Sequence, residues 1–477
     1  MDESLLTQLK CLSASDLCPM HMPGHKRRED VMGDALPYAL DITEIHGFDD
    51  LHSRVWDDKE DGCLHRLSAM AADLYGCVSA FPLVGGSTVG ILAAVRALVM
   101  LTGTSEILMA RNCHKSVYHA VELTGVEPLF LCPRPIEKGI SGKIDPAEVE
   151  TCLNAHPSCR VVVLTSPTYE GVISSLAEIG RVVHDHGGYL IVDAAHGAHL
   201  PFVSQTPFEG ADLVVVSLHK TLPSMTQTAL LLVGSERVAP WRVARELGVF
   251  ETSSPSYVLM TSVEECLRWA REHRPLFEDY VRVLSEARRA LAEMKHLCLL
   301  QPNGAYDSGK LVICTHKATI TGVQMAHRLR DEYGIEVEMA APDHVIAMTS
   351  VCDVIPTKRG DTPIQRLVEA LLEIDGGLCG QAPVPDHGEI SIPERVMSAC
   401  EALSRWNGTY GNLDDLQGRV AACYLWAYPP GVPFVIPGER LGAEQMEVLR
   451  KYERSHVDIR CVGGDGHLPD RIPVLKE

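Results

Sequence analysis

Hydrophobic and polar positions follow a regular order between about residues 60 and 235. Short apolar runs alternate with helical patterns, which is typical of a largely parallel sheet whose strands are joined by helices. Several runs are apolar on both faces, as expected for strands buried inside such a sheet. The predicted strands are residues 79–84, 106–110, 126–131, 160–165, 189–195, 213–218 and 229–234.

The rest of the chain predicts further domains. An amphipathic stretch from about Tyr257 to Lys295 predicts a connecting helix or a helix pair, and shorter patterns up to Gly377 predict a smaller α/β domain. The Pro- and Gly-rich segment 379–390 then marks a boundary. The prolines of segment 426–441 argue against a central strand and favour a rigid loop. The predicted units are an N-terminal arm (1–58), a large domain (59–256), a small α/β domain (257–377) and a C-terminal α+β domain (378–477).

Composition narrows the class of protein. Hydrophobic residues make up 46% of the 477 residues and charged residues 22%, which excludes disordered and fibrous chains. With 43 basic and 63 acidic residues the net charge is −20, so nucleic acid is not an expected partner. We find no secretory signal, and no apolar stretch reaches the roughly 20 residues of a membrane span. The sixteen cysteines lack C-x-x-C spacing, which predicts reduced thiols and a cytoplasmic protein.

A glycine-rich turn after the first predicted strand is a candidate phosphate site. Residues 84–90 read VGGSTVG, where two glycines allow close backbone approach and Ser87 and Thr88 supply hydroxyl groups. A helix starts immediately afterwards, so its free N–H groups can hold an anion. Taken alone, the turn is equally well explained as a glycine-capped turn with Ser87 as the helix N-cap. It matches neither of the two common nucleotide-binding fingerprints.

Three further polar residues follow predicted strands, where open α/β sheets bind their ligands. Asp193 ends an apolar strand, and a buried carboxylate there needs a cationic partner. Lys220 ends the next strand, and partial desolvation of its amine would lower its pKa and leave it able to attack a carbonyl. His114 follows strand 106–110, and its ring can stack on a flat ligand.

One ligand requires all of these groups together. Pyridoxal 5′-phosphate needs a phosphate site, a carboxylate for its ring nitrogen, a lysine for its aldehyde and a stacking ring. The carboxylate keeps the pyridine nitrogen protonated, so that the ring accepts the electron pair released when a bond at the substrate α-carbon breaks. A simple salt bridge between Asp193 and Lys220 is the alternative, but it leaves the glycine turn and His114 unexplained.

Longer motifs extend this pattern to most of the chain. Taken together they resemble the fold-type-I ornithine/lysine/arginine decarboxylase family, in its short form without the N-terminal receiver-like domain. The motifs are HMPGHK (21–26), DITEIHGFDDLH (41–52), GGSTVG (85–90), RNCHKSVYHAVELTGVEPLFL (111–131), SPTYEGV (166–172), VDAAHGAH (192–199), SLHKTLPSMTQTALL (217–231) and YPPGVPFVIPGERL (428–441).

The resemblance implies roles for individual residues. Lys220 becomes the Schiff-base lysine, Asp193 the partner of the pyridine nitrogen and His114 the stacking ring, while His196 lies beside the cofactor. Family members form dimers with shared active sites, so Thr252, in segment 251–257, becomes a phosphate ligand from the neighbouring subunit. The remaining implied phosphate ligands are Ser87, Thr88, Ser217 and His219.

Other positions leave alternatives open. Glu439 resembles the family glutamate near the substrate entrance, where it could meet a distal cation, but it is equally a candidate for a solvated loop carboxylate. His196 and His199 lack the i, i+4 helical spacing of paired zinc ligands, so no metal site is predicted. His21 and His25 are candidates for the substrate entrance or a dimer contact, with plain loop residues as the alternative. Asp49 and Asp50 are equally candidates for N-cap or turn residues and for a role at the entrance.

The sequence also departs from the family pattern. Residues 53–70 do not follow the usual continuation of the preceding motif, which affects the expected substrate recognition. Ala194 replaces a glutamate and Leu218 a small residue, but neither change removes a group that the cofactor needs.

The predicted protein is a cytoplasmic homodimer or higher homo-oligomer of polyamine biosynthesis. It would decarboxylate arginine, lysine or ornithine to agmatine or a diamine. An aminotransferase or another lyase on the same scaffold, and a non-catalytic paralogue, are the alternatives.

Overall fold

The computed structural model describes residues 18–20, 63–137, 139–204, 206–253, 255–380, 392–427, 431–454, 459–461 and 471–476. The predicted motifs at 21–26 and 41–52 lie outside these residues, and so do His21, His25, Asp49 and Asp50. The first described element is strand β1 (Cys18–Met20), and the next is helix α1 (Cys63–Tyr75).

A seven-stranded sheet forms the centre of the large domain. Its strand order is β2-β10-β9-β8-β7-β3-β4, and every strand is parallel to its neighbours except β10, which is antiparallel to both β2 and β9. All seven predicted strands are confirmed. The strands in chain order are β2 (Ser79–Leu83), β3 (Glu106–Ala110), β4 (Glu127–Leu131), the hairpin β5 (Pro135–Glu137) and β6 (Ile140–Ser141), β7 (Val161–Thr165), β8 (Tyr189–Asp193), β9 (Leu213–Ser217) and β10 (Ala229–Val233).

Helices connect these strands, and the first of them, α2, packs closely on the sheet. A Cβ atom at Gly90 would lie 2.7 Å from Leu83 Cδ1 and 2.9 Å from Val215 Cγ1, so glycine is required for this approach. The close packing directs the start of the helix toward the strand ends. The helices are α2 (Gly86–Thr102), α3 (Lys115–Thr124), α4 (Pro146–Ala155), α5 (Leu176–Asp185), α6 (Leu200–Val203), α7 (Leu218–Thr221) and α8 (Pro240–Phe250).

A buried carboxylate closes the amino-terminal edge of the sheet. Asp212, which is fully buried, precedes β9 and accepts hydrogen bonds from Leu190 N (2.8 Å) and Ser235 Oγ (2.6 Å). It also forms an ion pair with Arg237 (3.0 Å) and a hydrogen bond with His184 Nε2 (2.9 Å). Four segments are therefore joined at the edge opposite the carboxyl ends of β8 and β9.

The amphipathic stretch after the large domain is a helix pair, α9 (Tyr257–Glu272) and α10 (Arg274–Leu291). An antiparallel sheet of order β11-β12-β15-β14 follows, and β1 pairs in parallel with β13 beside it. The elements of this small domain are β11 (Cys298–Leu299), β12 (Lys310–Cys314), α11 (Gly322–Tyr333), β13 (Ile335–Val337), β14 (Met339–Ala340), β15 (His344–Met348) and α12 (Pro363–Gly376).

The C-terminal region contains a three-stranded antiparallel sheet of order β18-β17-β19. The prediction that segment 426–441 avoids a central strand is wrong for Trp426 and Ala427, which belong to the central strand β17. Pro433 lies on the edge strand β18, where a missing N–H group is tolerated. The elements are α13 (Ala399–Arg405), β16 (Tyr410–Gly411), β17 (Leu425–Ala427), β18 (Pro433–Val435), α14 (Ala443–Arg454), β19 (Ile459–Cys461) and β20 (Ile472–Pro473).

Apolar cores lie in each of these three regions. Val163 and Ile191 belong to the large-domain core, Leu311 and Ile374 to a core in the small domain, and Leu449 to one in the C-terminal region. The exact domain limits stay a prediction. Among the described residues, no helix has both the length and the apolar character needed to cross a membrane.

Candidate active site

Asp193 and Lys220 lie at the same edge of the large sheet. Asp193 is the last residue of β8, and Lys220 lies in the one-turn helix α7 that directly follows the parallel neighbour β9. Asp193 is buried, and its Oδ1 accepts a hydrogen bond from Ala195 N at 3.2 Å. Burial lowers the pKa of Lys220, while the charge of Asp193 opposes that shift. The site therefore favours the neutral amine more than water does.

The carboxyl of Asp193 responds in the opposite direction. Burial raises its pKa, and the nearby ammonium of Lys220 counteracts this by favouring the carboxylate. A pyridinium nitrogen would act on Asp193 in the same sense as Lys220 does, because both are positive charges. The pair therefore has the electrostatic character that a buried cationic ring requires.

His196 connects Lys220 to the small domain. Its Nε2 lies 3.0 Å from Lys220 Nζ, and burial together with the charge of Lys220 holds its pKa well below the ordinary value. The ring is therefore neutral, and its Nε2 can accept a hydrogen bond from Lys220 Nζ. The ring of Tyr169 packs edge-on against His196 at 4.8 Å between centroids, and its hydroxyl donates to Glu338 Oε1 at 2.6 Å.

His114 is the N-cap of α3. Its Nδ1 accepts a hydrogen bond from Ser116 N at 3.2 Å, which leaves the proton of the neutral ring on Nε2. Burial, aided by the charges of Lys220 and Lys115, lowers the pKa of His114 to about 3. The ring is therefore uncharged at neutral pH, as suits stacking on an aromatic cofactor.

The glycine turn caps the following helix with a different residue from the one that the sequence suggested. Helix α2 begins at Gly86 with Gly85 as its cap, so the interpretation of Ser87 as N-cap is wrong. Ser87 and Thr88 instead lie in the first turn, where their N–H groups have no intrahelical acceptor. Gly86 has φ +79°, and a Cβ atom there would meet nothing within 4 Å, so the turn is open.

Glu251 is a part of this turn that the sequence did not single out. Its Oε1 accepts hydrogen bonds from Val84 N (3.2 Å) and Gly85 N (3.3 Å). A carboxylate on two consecutive amides shows that the turn attracts anions. Thr252, the next residue along the chain, is exposed, and the sequence predicted a role for it across the dimer. That role stays a prediction.

Ser217 is the last residue of β9, and His219 directly precedes Lys220 in α7. Ser217 is fully buried, and its Oγ has no hydrogen-bond partner among the described residues. His219 Nδ1 contacts Thr228 O at 2.9 Å, which fixes the ring. His196 Nδ1 is likewise buried without a partner within the described part of the chain. These two unpaired polar atoms, together with the open turn, fit a polar ligand such as pyridoxal 5′-phosphate.

Glu439 is fully buried, so its interpretation as a solvated loop carboxylate is wrong. Its Oε2 accepts hydrogen bonds from Arg111 at 2.9 Å and from Ile436 N at 2.8 Å. Burial raises the pKa of Glu439, and Arg111 counteracts this shift. Sequence reasoning missed Arg111 because its partner lies far away in the chain, although Arg111 opens the motif that contains His114.

His199, Asp307 and Lys310 form a second cluster of buried titratable side chains. His199 Nε2 contacts Asp307 Oδ1 at 3.1 Å, and Lys310 Nζ donates to Asp307 Oδ2 at 3.0 Å. All three residues are at most 3% exposed. Burial alone would raise the pKa of Asp307, but Lys310 and His199 hold it below its usual value. His199 is thus joined to the small domain. Among the described residues no cluster of three potential metal ligands occurs.

The fold is that of the fold-type-I pyridoxal-phosphate enzymes. Lysine decarboxylase A from Pseudomonas aeruginosa aligns over 91% of this chain and 74% of its own, with a TM-score of 0.71 and 20% identity. Pyridoxamine-pyruvate aminotransferase from Mesorhizobium loti aligns over 65% of this chain and 82% of its own, with a TM-score of 0.51 and 18% identity.

Comparison of sequences gives the family. The chain belongs to the Orn/Lys/Arg decarboxylase family, whose major domain matches residues 13–350 and whose C-terminal domain matches residues 390–456. The arginine decarboxylase of Bacillus subtilis is 29% identical over 99% of this chain and 98% of that protein. Family membership classes the chain as an amino-acid decarboxylase.

Proposed function

We propose that this chain removes the α-carboxyl group of a basic amino acid with pyridoxal 5′-phosphate as cofactor. The observation that carries the proposal is the placement of Asp193 and Lys220 at the ends of adjacent parallel strands, with His196 3.0 Å from the lysine nitrogen. The bound cofactor supplies an electron-accepting ring and an aldehyde. Lys220 would hold the aldehyde carbon, Asp193 the ring nitrogen and His114 one face of the ring.

The phosphate would be held at the glycine turn. The N–H groups and hydroxyls of Ser87 and Thr88 supply donors at the start of α2, and Ser217 Oγ supplies a buried hydroxyl. His219 flanks this side. Thr252 would add a hydroxyl from the neighbouring subunit of a dimer. The dimer, the cytoplasmic location and the role in polyamine biosynthesis belong to the same proposal.

Lys220 and His196 would handle the proton that the reaction requires. Loss of CO2 leaves the electron pair of the broken bond at the substrate side, and one proton must then be added at Cα. Burial lowers the pKa of Lys220, so its Nζ releases a proton more readily than an exposed lysine does, and the neutral His196 Nε2 orients that nitrogen by hydrogen bonding. We assign the proton delivery to Lys220 Nζ.

Glu338 is the proposed partner of the distal cation of the substrate. Asp193 would bind the ring nitrogen, and Oε2 of Glu439 is engaged by Arg111. The negative charge of Glu338 acts on Lys220, and its side chain is reached through Tyr169, whose ring contacts His196. A carboxylate whose charge acts on Lys220 could also pair with the amine or guanidinium of a basic amino acid.

Arginine is the first substrate to test, because the Bacillus subtilis relative that matches along nearly the whole chain is named arginine decarboxylase. The experiment measures CO2 release and keto-acid formation with arginine, lysine and ornithine at saturating cofactor. We expect CO2 and agmatine or a diamine, in equal amounts. Keto acid without CO2 would instead indicate an aminotransferase.

A second measurement addresses the non-catalytic alternative. Borohydride reduction of the cofactor-loaded protein, followed by peptide mapping, should place a pyridoxyl label on Lys220. A protein that takes up no label at Lys220 contradicts the proposed function whatever the amino acids tested.

A further inference from the structure

The C-terminal region holds the loop that carries His114. We call the four contacting residues of this region, Trp426, Gly431, Phe434 and Glu439, the C-terminal clasp. The loop runs from Arg111, directly after β3, to Lys115 at the start of α3. His114 lies between Arg111 and Lys115, and the clasp contacts both of these residues. It therefore holds the loop on both sides of the proposed stacking ring.

On one side the clasp binds Arg111. The guanidinium donates to Phe434 O at 3.2 Å and to Glu439 Oε2 at 2.9 Å, and Ile436 N donates to the same carboxylate oxygen at 2.8 Å. One oxygen atom therefore joins the loop to the end of β18. Tyr118 secures the loop from within, since its hydroxyl donates to Arg111 O at 2.6 Å.

On the other side the clasp binds Lys115 and touches His114 itself. Lys115 N donates to Gly431 O at 3.1 Å, and Lys115 Nζ lies 4.7 Å above the ring of Trp426. Gly431 has φ +82°, and a Cβ atom there would lie 3.2 Å from His114 Nε2. The backbone at residue 431 thus packs against the imidazole of His114, and its position limits where the ring can lie.

We propose that Glu439 is a positioning residue for the cofactor, which acts through Arg111 and the clasp to fix the ring of His114. This inference rests on the proposed function, because it concerns the ring that would stack on pyridoxal 5′-phosphate. It assigns Glu439 a different role from the substrate contact that the sequence indicated. The burial of Glu439 and its two hydrogen bonds at Oε2 support positioning.

Glu439 Oε1 is the atom through which a substrate contact would have to occur. It is buried and has no hydrogen-bond partner among the described residues. The two roles therefore predict different measurements. A positioning residue changes the affinity for the cofactor, whereas a substrate contact changes the KM for the amino acid at saturating cofactor.

The decisive variant is Glu439→Gln, which keeps the shape of the side chain and removes its charge. Cofactor dissociation is measured by the absorbance of the bound pyridoxal chromophore, and KM is measured separately at saturating cofactor. We expect cofactor affinity to fall about tenfold, because Arg111, whose side chain is only 13% exposed, loses its counter-charge and the loop shifts. The KM should stay within about twofold of the unmodified protein.

Glu394→Gln is the matched control. Glu394 pairs with Arg440 at 2.8 Å in the same region, but its side chain is 70% exposed, so cofactor affinity should not change. If Glu439→Gln fails to fold, Gly431→Ala decides, because it pushes on His114 without altering any charge and should also weaken cofactor binding.

Two results would overturn the inference. One is a raised KM with unchanged cofactor affinity in Glu439→Gln, which would make Glu439 a substrate contact. The other is unchanged cofactor affinity in both Glu439→Gln and Gly431→Ala. An unmodified protein that binds no pyridoxal 5′-phosphate would overturn the proposed function itself, so the two failures are distinguishable.

Discussion

Lys220 Nζ lies 3.0 Å from Nε2 of His196, and both side chains are held closer to their neutral forms than they would be in water. Two protonated bases in contact inside a protein repel each other, and burial reduces that cost here because it disfavours the charged form of each. The neighbouring carboxylate of Asp193 is the group that would supply the negative charge for a bound pyridinium.

Asp193→Ala should leave the fold largely intact but abolish CO2 release, because the ring nitrogen would lose the carboxylate that keeps it protonated. Turnover and thermal unfolding are measured together on the same preparation. Asp185→Ala is the control, since Asp185 is 65% exposed at the end of a helix and should affect neither property. Normal turnover in Asp193→Ala would contradict the role of the carboxylate.

Glu338→Gln should reduce the preference for cationic substrates. We expect the ratio of kcat/KM for arginine to that for norleucine, which has a neutral side chain, to fall by about tenfold or more. Cofactor affinity should not change, since Glu338 is not proposed to touch the cofactor. Glu332→Gln, on the exposed face of α11 where Glu332 pairs with Arg328, serves as control. An unchanged ratio would show that the distal cation binds elsewhere.

Asp307→Asn should destabilise the protein by about 3–5 kcal/mol, because Lys310 would remain buried without its counter-charge. Chemical denaturation at neutral pH measures the free energy of unfolding. The pKa of Asp307 is lowered in the folded state, so its contribution is present above the ordinary carboxyl pKa of 3.8 and is lost as the pH falls through the folded value.

The difference in stability between the original protein and Asp307→Asn should therefore shrink in acid. Asp279→Asn provides the control, because Asp279 pairs with Arg282 on the surface and should leave stability unchanged within error. A difference that grows toward low pH would contradict the assigned charge state.

Gly90→Ala should cost about 1–3 kcal/mol of stability, since the new methyl group would overlap with side chains of β2 and β9. If the packing relaxes to make room for the methyl group, the start of α2 moves. The affinity for pyridoxal 5′-phosphate should then fall as well. Gly248→Ala in α8 is a fitting comparison, because a Cβ atom at that position meets nothing within 4 Å. Replacing that glycine should leave stability equal or slightly higher. Equal stability of the two variants would exclude the close approach of α2.

The large sheet and the centre of the site were predictable because local sequence determines them. Strands buried on both faces are apolar runs, such as 161–164 and 213–216, and a charged residue such as Asp193 at the end of such a run stands out. Ser87 was misplaced because the N-cap is Gly85, so the helix begins two residues earlier than the hydroxyl of Ser87 suggested. Trp426 was misjudged because the prolines that follow it lie beyond the strand.

Contacts over long distances in the chain could not be predicted in this way. The partner of Arg111 is Glu439, and that of His199 is Asp307, and no periodicity connects residues so far apart. Glu251 was overlooked because a carboxylate beside a proposed phosphate site contradicts simple charge matching.

The contacts of Asp212 stabilise one edge of the central sheet, and the candidate active site lies at the opposite edge. One end of the strands is locked by a single acidic side chain with partners from Leu190, Ser235, Arg237 and His184, while the far end carries the reactive groups. Substitutions at the edge held by Asp212 should lower the fraction of folded protein and leave the kcat of the folded enzyme unchanged. Evolution or engineering can thus vary the chemistry of one rim while the opposite rim preserves the scaffold.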